Sequence, residues 1–283
     1  MAFTPLSTLS QWLDWATAEL AGSESAKLDA RVLLCHCLDC SETYLYTWPD
    51  KALSEQQARA FQASIQSRKA GTPVAHLLGK REFWSLELTV NPSTLIPRPD
   101  TEVLVEAALA CPVPENARVL DLGTGTGAIA LALASERPQW QIVAVDVVDE
   151  AVALAEHNRA RHQLNNVTVQ RSHWFDGIEQ QAFDLIVSNP PYVEEQSLWL
   201  QQGDVRFEPR SALTAGDDGL DDIRLICKQA PQYLAPQGWL MIEHGFEQHQ
   251  AVQALMAQAG LEKCRSERDL AGLYRISMAQ KNR

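Results

Sequence analysis

Apolar positions recur along this chain with two different periods, and the change from one to the other divides it. Leu9, Trp12, Leu13, Ala16 and Leu20 return at helical spacing, and Thr8 followed by Gln11 offers a capping box. The spacing predicts a second helix over 28–38. A third is predicted over 54–70, opened by Ser54 with Gln57 and closed by Gly71 and Pro73. Residues 1–75 therefore read as a small helical domain. Phe83, Leu86, Leu88 and Val90 then follow the pattern of a strand pair ended by Asn91 and Pro92, so 76–92 reads as a β-hairpin linker.

IPRPDTEVLVEAALA predicts a helix with Pro99 at its start and Asp100 and Glu102 in its first turn, where the dipole favours negative charge. Arg98 and Glu102 are end-of-helix charges with a substrate-facing role left open. From Arg118 onward the pattern alternates. Strands are predicted over 119–122, 142–145, 167–170, 183–188 and 239–243, with helices over 128–135 and 150–161. Such alternation implies right-handed crossovers, and residues 93–283 are expected to form an α/β, doubly wound, mostly parallel sheet. Ligands then bind beyond the carboxyl ends of the strands.

The stretch DLIVSNPPY carries the most specific chemistry. Leu185, Ile186 and Val187 form an apolar run that Asn189, Pro190, Pro191 and Tyr192 stop abruptly, because two prolines cannot continue a ladder. The prolines also fix φ, so the Asn189 side-chain oxygen and the Pro190 carbonyl stand as rigid acceptors. Each suits one hydrogen of a planar NH2 group, with the Tyr192 ring placed to stack on its plane. A proline-stiffened turn after a core strand is the plainer reading of these residues taken alone.

DLGTGTGAIA joins the first of the alternating strands to a helix through Gly123, Thr124, Gly125, Thr126 and Gly127, where backbone can pass close to a ligand. Asp146 ends the next strand and can accept hydrogen bonds from both hydroxyls of a ribose. Gly123, Gly125, Ala128 and Asp146 also satisfy the dinucleotide pattern, so loop and acid alone do not separate a nicotinamide from another adenosine ligand. Trp174, in SHWFD, is placed to pack near an adenine ring or in the core. NPPY has no part in hydride transfer. An NH2 acceptor facing an adenosine cofactor implies group transfer to nitrogen, and S-adenosylmethionine is the adenosine cofactor that donates methyl.

At 283 residues there is room for two domains, and 46% hydrophobic with 21% charged residues fits an ordinary soluble protein. The net charge of −12 disfavours stable nucleic-acid binding. No apolar run approaches the roughly 20 residues of a membrane span, and MAFTPLSTLS lacks the features of a secretory signal, so a cytoplasmic protein is expected. Cys35, Cys37 and Cys40 cluster with His36, but Cys111, Cys227 and Cys264 are scattered and no metal is expected. His76, His173 and His244 are proton acceptors by type, each expected to be structural. Three rivals stand beside methyl transfer to an amide: adenine-N6 methylation of a flipped base, a nicotinamide oxidoreductase, and a non-catalytic S-adenosylmethionine sensor.

With these residues assembled, the chain resembles the bacterial peptide chain release factor glutamine methyltransferases, an N5-glutamine methyltransferase family. The likeness rests on the helical N-terminal domain, IPRPDTE, DLGTGTGAIA, Asp146, SHWF, SNPPY and QGDVRFEP, and covers nearly all of the chain. The resemblance implies a class I, Rossmann-like methyltransferase domain. It also implies that Gly123 to Gly127 and Asp146 hold S-adenosylmethionine, with Trp174 bordering its adenine and Asn189 facing it. Asn189, Pro190, Pro191 and Tyr192 would hold the substrate glutamine, and Asn189, Pro190 and Tyr192 would serve the chemistry. The implied substrate is the glutamine of the GGQ loop in class 1 peptide chain release factors, methylated on its side-chain nitrogen. The C-terminal tail, from about Cys264, fits less distinctly.

Overall fold

The computed structural model describes residues 7–179 and 182–283. The first six residues, which the sequence reading assigns to the helical domain and finds without a secretory signal, lie outside the described residues, as do Gln180 and Gln181. The chain divides into two compact units, Met1–Gly79 and Lys80–Arg283.

The described part of the first unit consists of α1 (Leu9–Glu19), α2 (Ala26–Leu38), α3 (Glu42–Thr47), α4 (Glu55–Lys69) and α5 (Val74–Leu78). Both predicted capping boxes form: Thr8 Oγ1 accepts from the Gln11 N–H at 3.3 Å, and Ser54 Oγ from the Gln57 N–H at 3.2 Å. The stripe Leu9, Trp12, Ala16 and Leu20 packs with Leu33, Leu34, Phe61 and Ile65. Within that core Asp29 is paired with Arg68 Nε at 2.7 Å and accepts from Ser25 Oγ at 2.8 Å, so a buried charge is compensated. The short helices α3 and α5 carry too few turns for a periodic signal.

The unit boundary differs from the one expected at 75. α5 runs to Leu78 and is closed by Gly79 in the left-handed region, φ 68°. The hairpin of β1 (Lys80–Phe83) and β2 (Leu86–Thr89) belongs to the second unit and is not a linker. Its Phe83 and Leu88 are buried in that unit's core, and the Thr89 N–H donates to Asn158 Oδ1 at 2.8 Å. The helix expected at Pro99 begins as a 3-10 turn, Pro99–Thr101, before α6 (Glu102–Leu109).

The rest of the second unit runs β3 (Arg118–Leu122), α7 (Ala128–Glu136), β4 (Gln141–Asp146), α8 (Asp149–Arg161), β5 (Val167–Arg171) and β6 (Phe183–Ser188). It continues with α9 (Asp221–Tyr233), β7 (Leu234–Glu243), α10 (His249–Gln258), β8 (Leu261–Arg268) and β9 (Tyr274–Lys281). The sheet order is β5-β4-β3-β6-β7-β9-β8. The pairs from β5 through β7 are parallel, and β9 is antiparallel to both β7 and β8. Alternate side chains of the central strands enter two cores, Val119, Leu185, Val187 and Met241 in one, Leu120, Ile186, Leu240 and Ile242 in the other. The indistinct C-terminal stretch forms the last strand pair. β8, LEKCRSER, is a charged edge strand whose register shifts against β9, so it shows no clean alternation. No helix among the described residues is long and apolar enough to cross a membrane.

Candidate active site

Strand register builds the site. Leu122 lies opposite Val145 and Ser188, and Ser188 lies opposite Ile242. The residues that follow each of these, Asp146, Gly123, Asn189 and Glu243, are thereby delivered in one row at the carboxyl edge of β4, β3, β6 and β7. The sheet order reverses between β3 and β6, so the row spans the switch point where open α/β sheets bind ligands. Beyond it lies a cavity of about 280 Å3. Of the residues assigned to cofactor or substrate from the sequence, Gly123, Thr124, Gly125, Thr126, Asp146, Trp174, Asn189 and Pro191 line it. Gly127, Pro190 and Tyr192 do not.

On one side of the row Asp146 is fixed by its own neighbours. Oδ2 accepts from the Gly125 N–H at 2.9 Å and Oδ1 from the Val148 N–H at 3.0 Å, which leaves lone pairs on both oxygens. Gly123 and Gly125 have φ of 71° and 55°, and a Cβ on Gly123 would stand 3.3 Å from the Trp174 ring. Gly127, φ 86°, instead packs closely on Leu131 and Ala155 at the start of α7, so its place is helix entry. Asp121 is buried beneath the loop and accepts from Thr124 Oγ1 at 2.6 Å. Burial pushes its carboxyl up to about 7, against the pull of that hydrogen bond. The buried Thr94 hydroxyl, which has no hydrogen-bond partner among the described residues, also lines the cavity.

The other side is assembled from distant segments. Asn189 Nδ2 donates to Thr101 Oγ1 at 3.2 Å. Ser188 Oγ donates to the Leu122 carbonyl at 2.8 Å, and Gln248 Nε2 to the Tyr192 carbonyl at 3.0 Å, which pins NPPY at both ends. The Tyr192 hydroxyl donates to Glu243 Oε1 at 3.4 Å, so Tyr192 bears on the site through Glu243. Burial raises the Tyr192 phenol, with the Glu243 charge adding to it. Burial pushes the Glu243 carboxyl up to about 7, opposed by Thr101 and Arg275.

Arg98 lines the cavity and is held by Glu208 of QGDVRFEP at 2.6 Å; Glu208 also accepts from the Ile96 N–H at 3.1 Å. Glu102 accepts from the Trp84 N–H at 3.0 Å, an anchor for the hairpin. His173 lines the cavity beside Asp176, and His244 is buried between the Gly245 carbonyl and Ser277 Oγ, where burial lowers it to about 4. His76 lies in α5 of the first unit. Burial pushes the Cys35 thiol up to about 11, and among the described residues no His, Cys, Asp and Glu group is arranged to hold a metal. Sequence reasoning missed Thr94, Thr101, Asp121 and Glu243. Glu243 had a signal, because it ends an apolar strand just as Asp146 does.

Residues 11–79 match the family described as PrmC N-terminal domain, and residues 99–204 match the methyltransferase small domain. The release factor glutamine methyltransferase of Shewanella oneidensis is 54% identical over 97% of this chain and 96% of its own. That of Pseudomonas aeruginosa is 52% identical over 93% of this chain and 95% of its own. The chain belongs to the release factor glutamine methyltransferase family. A solved methyltransferase structure from Pyrococcus furiosus shares the fold, with a TM-score of 0.55 at 19% identity over 78% of this chain and 98% of that one.

This family is S-adenosylmethionine-dependent, and the residues present fit that cofactor. The glycine cradle would be filled by a Cβ, Asp146 keeps lone pairs suited to a ribose diol, and the Thr94 hydroxyl gives a buried polar contact.

Proposed function

We infer that this chain is a protein-(glutamine-N5) methyltransferase that methylates the GGQ glutamine of class 1 peptide chain release factors on its side-chain nitrogen. The observation that carries this reading is the near full-length identity to release factor glutamine methyltransferases, in a chain whose strand ends align Asp146, Gly123, Asn189 and Glu243. In this reading Gly123 to Thr126, Asp146 and Trp174 hold S-adenosylmethionine, with Gly127 setting the helix entry behind them. The cofactor supplies an electrophilic methyl on a sulfonium.

An amide nitrogen is a poor nucleophile because its lone pair is shared with the carbonyl. Asn189 Oδ1 takes one hydrogen of the glutamine NH2, which favours a localised lone pair and stabilises the positive charge that develops on nitrogen. Pro190 and Pro191 fix the backbone that follows Asn189 and so hold this acceptor in place. As the N–C bond forms, the methyl–sulfur bond of the sulfonium would break with its electron pair left on sulfur, and the nitrogen gives up one proton to solvent, so the product is a neutral secondary amide.

The helical unit is assigned to recognition of the release factor, since a single glutamine loop is too small to specify one partner. A cytoplasmic setting belongs to the same reading, as the partners are translation factors. The test is labelled methyl transfer from S-adenosylmethionine to a purified class 1 release factor, to the same factor with its GGQ glutamine replaced, and to DNA. Labelling of the first alone is expected; label on DNA, or on the replaced factor at an equal rate, overturns the assignment.

A further inference from the structure

Resting on the reading of Asn189 as the amide acceptor, we propose that Glu243 and Thr101 form a positioning relay that sets which end of the Asn189 side chain faces the reacting amide. An asparagine side chain is nearly symmetric in shape, and only its oxygen end accepts. The Asn189 side chain is hydrogen-bonded to Thr101, whose Oγ1 lies 3.2 Å from Nδ2 and can bear on the choice between the ends. A hydroxyl can accept from an NH2 or donate to a carbonyl oxygen, so Thr101 alone leaves the choice open.

Glu243 closes it. This carboxyl is 2% exposed, accepts from the Tyr192 hydroxyl through Oε1, and among the described residues has no hydrogen-bond partner on Oε2. The Thr101 hydroxyl, whose Oγ1 receives Asn189 Nδ2, is a near group with a proton to give that buried acceptor. An ionised carboxylate accepts only, so it claims the Thr101 proton, and Thr101 then has only lone pairs to offer Asn189. Nδ2 turns toward Thr101 and Oδ1 toward the cavity. The three residues come from the 3-10 turn, β7 and the end of β6, and Asn189 and Glu243 are next-strand neighbours in the register.

Protonation reverses the relay, because a neutral Glu243 can donate to Thr101. The groups that face Glu243 are Arg275 from β9, which favours its charge, Asp100 from the 3-10 turn, which opposes it, Tyr192, which donates to it, and the Thr101 hydroxyl, which favours its charge. Its carboxyl titrates at about 7, within the range of an ordinary assay.

The test uses the full-length enzyme with release factor, comparing Thr101→Val, Thr101→Ser, Glu243→Gln and Asn189→Ala. Thr101→Val is expected to lower kcat by about tenfold, the loss of one hydrogen bond's direction, with cofactor affinity by calorimetry unchanged. Thr101→Ser is expected to restore the rate. In the unsubstituted protein kcat is expected to fall as pH drops through about 7, and this limb should be absent in Glu243→Gln. A readout without turnover is the side-chain 15N–H2 signal of Asn189, expected to shift over the same pH range and to stop shifting in Thr101→Val. A normal rate in Thr101→Val while Asn189→Ala is slow overturns the relay alone. An Asn189 signal that ignores pH also overturns it. A normal rate in Asn189→Ala removes the acceptor reading on which the relay rests.

Discussion

The two sides of the cavity are built differently. The side proposed to take the cofactor is the more local: Asp146 is fixed by Val148, 2 residues on, and by Gly125, 21 residues back in the loop that follows β3. The side proposed to take the amide is built over longer spans: side-chain hydrogen bonds join Asn189 to Thr101 and Tyr192 to Glu243 across 88 and 51 residues of sequence. A local arrangement tolerates change elsewhere in the fold, whereas a side-chain relay fails at any of its members. Substitutions on the amide side should therefore act on turnover, and those on the cofactor side on affinity.

The largest expected effect is that of Asn189→Ala. Removing one preorganised polar group from the transition state typically costs about 10²- to 10³-fold, roughly 3–4 kcal/mol. Single-turnover methyl transfer at saturating cofactor should show this loss, with cofactor affinity changed far less. A comparable fall in affinity would mean that the two sides are not separate.

Asp146→Ala should do the converse. A hydrogen bond to a charged group contributes roughly 1.5–3 kcal/mol, so calorimetry is expected to show cofactor binding weakened by at least about 10- to 150-fold, the loss of one such bond. The rate at saturating cofactor should stay within a few-fold, and unchanged affinity would remove Asp146 from the site.

Tyr192 sharpens the comparison because it reaches the amide side from behind. Tyr192→Phe loses the hydroxyl that donates to Glu243 and should slow turnover only a few-fold, about 0.5–1 kcal/mol. Tyr192→Ala also empties the packing beneath NPPY and should cost more. Equal rates for the two variants would assign the whole contribution to the hydroxyl.

The smallest effect is on stability against pH. Burial raises Asp121 from 3.8 and Glu243 from 4.5, both to about 7. Between those limits the unfolded chain has released protons that the folded chain still holds, so stability falls as pH rises through this window. The thermal midpoint is expected to decline from about pH 5 to about pH 7. Glu243→Gln should make that decline shallower, and an unaltered slope would place the titration elsewhere.

By itself the sequence determined the alternation of strands and helices, both capping boxes, the glycine loop, the acid at Asp146 and the rigid NPPY tip. Each of these is written in neighbouring residues: hydrophobic period, cap spacing, glycine φ, proline geometry. Tertiary structure alone decided that the hairpin belongs to the second unit, since Phe83 and Leu88 reveal their partners only once packed. It decided the pairing of β8 and β9, because the charges of an edge strand mask its alternation. It also decided that Tyr192 turns to Glu243, that Thr101 meets Asn189, and that Arg98 is held by Glu208. These contacts depend on register between strands and on loops that cross the sheet edge, and the one-dimensional pattern carries no record of which residues become neighbours across a fold.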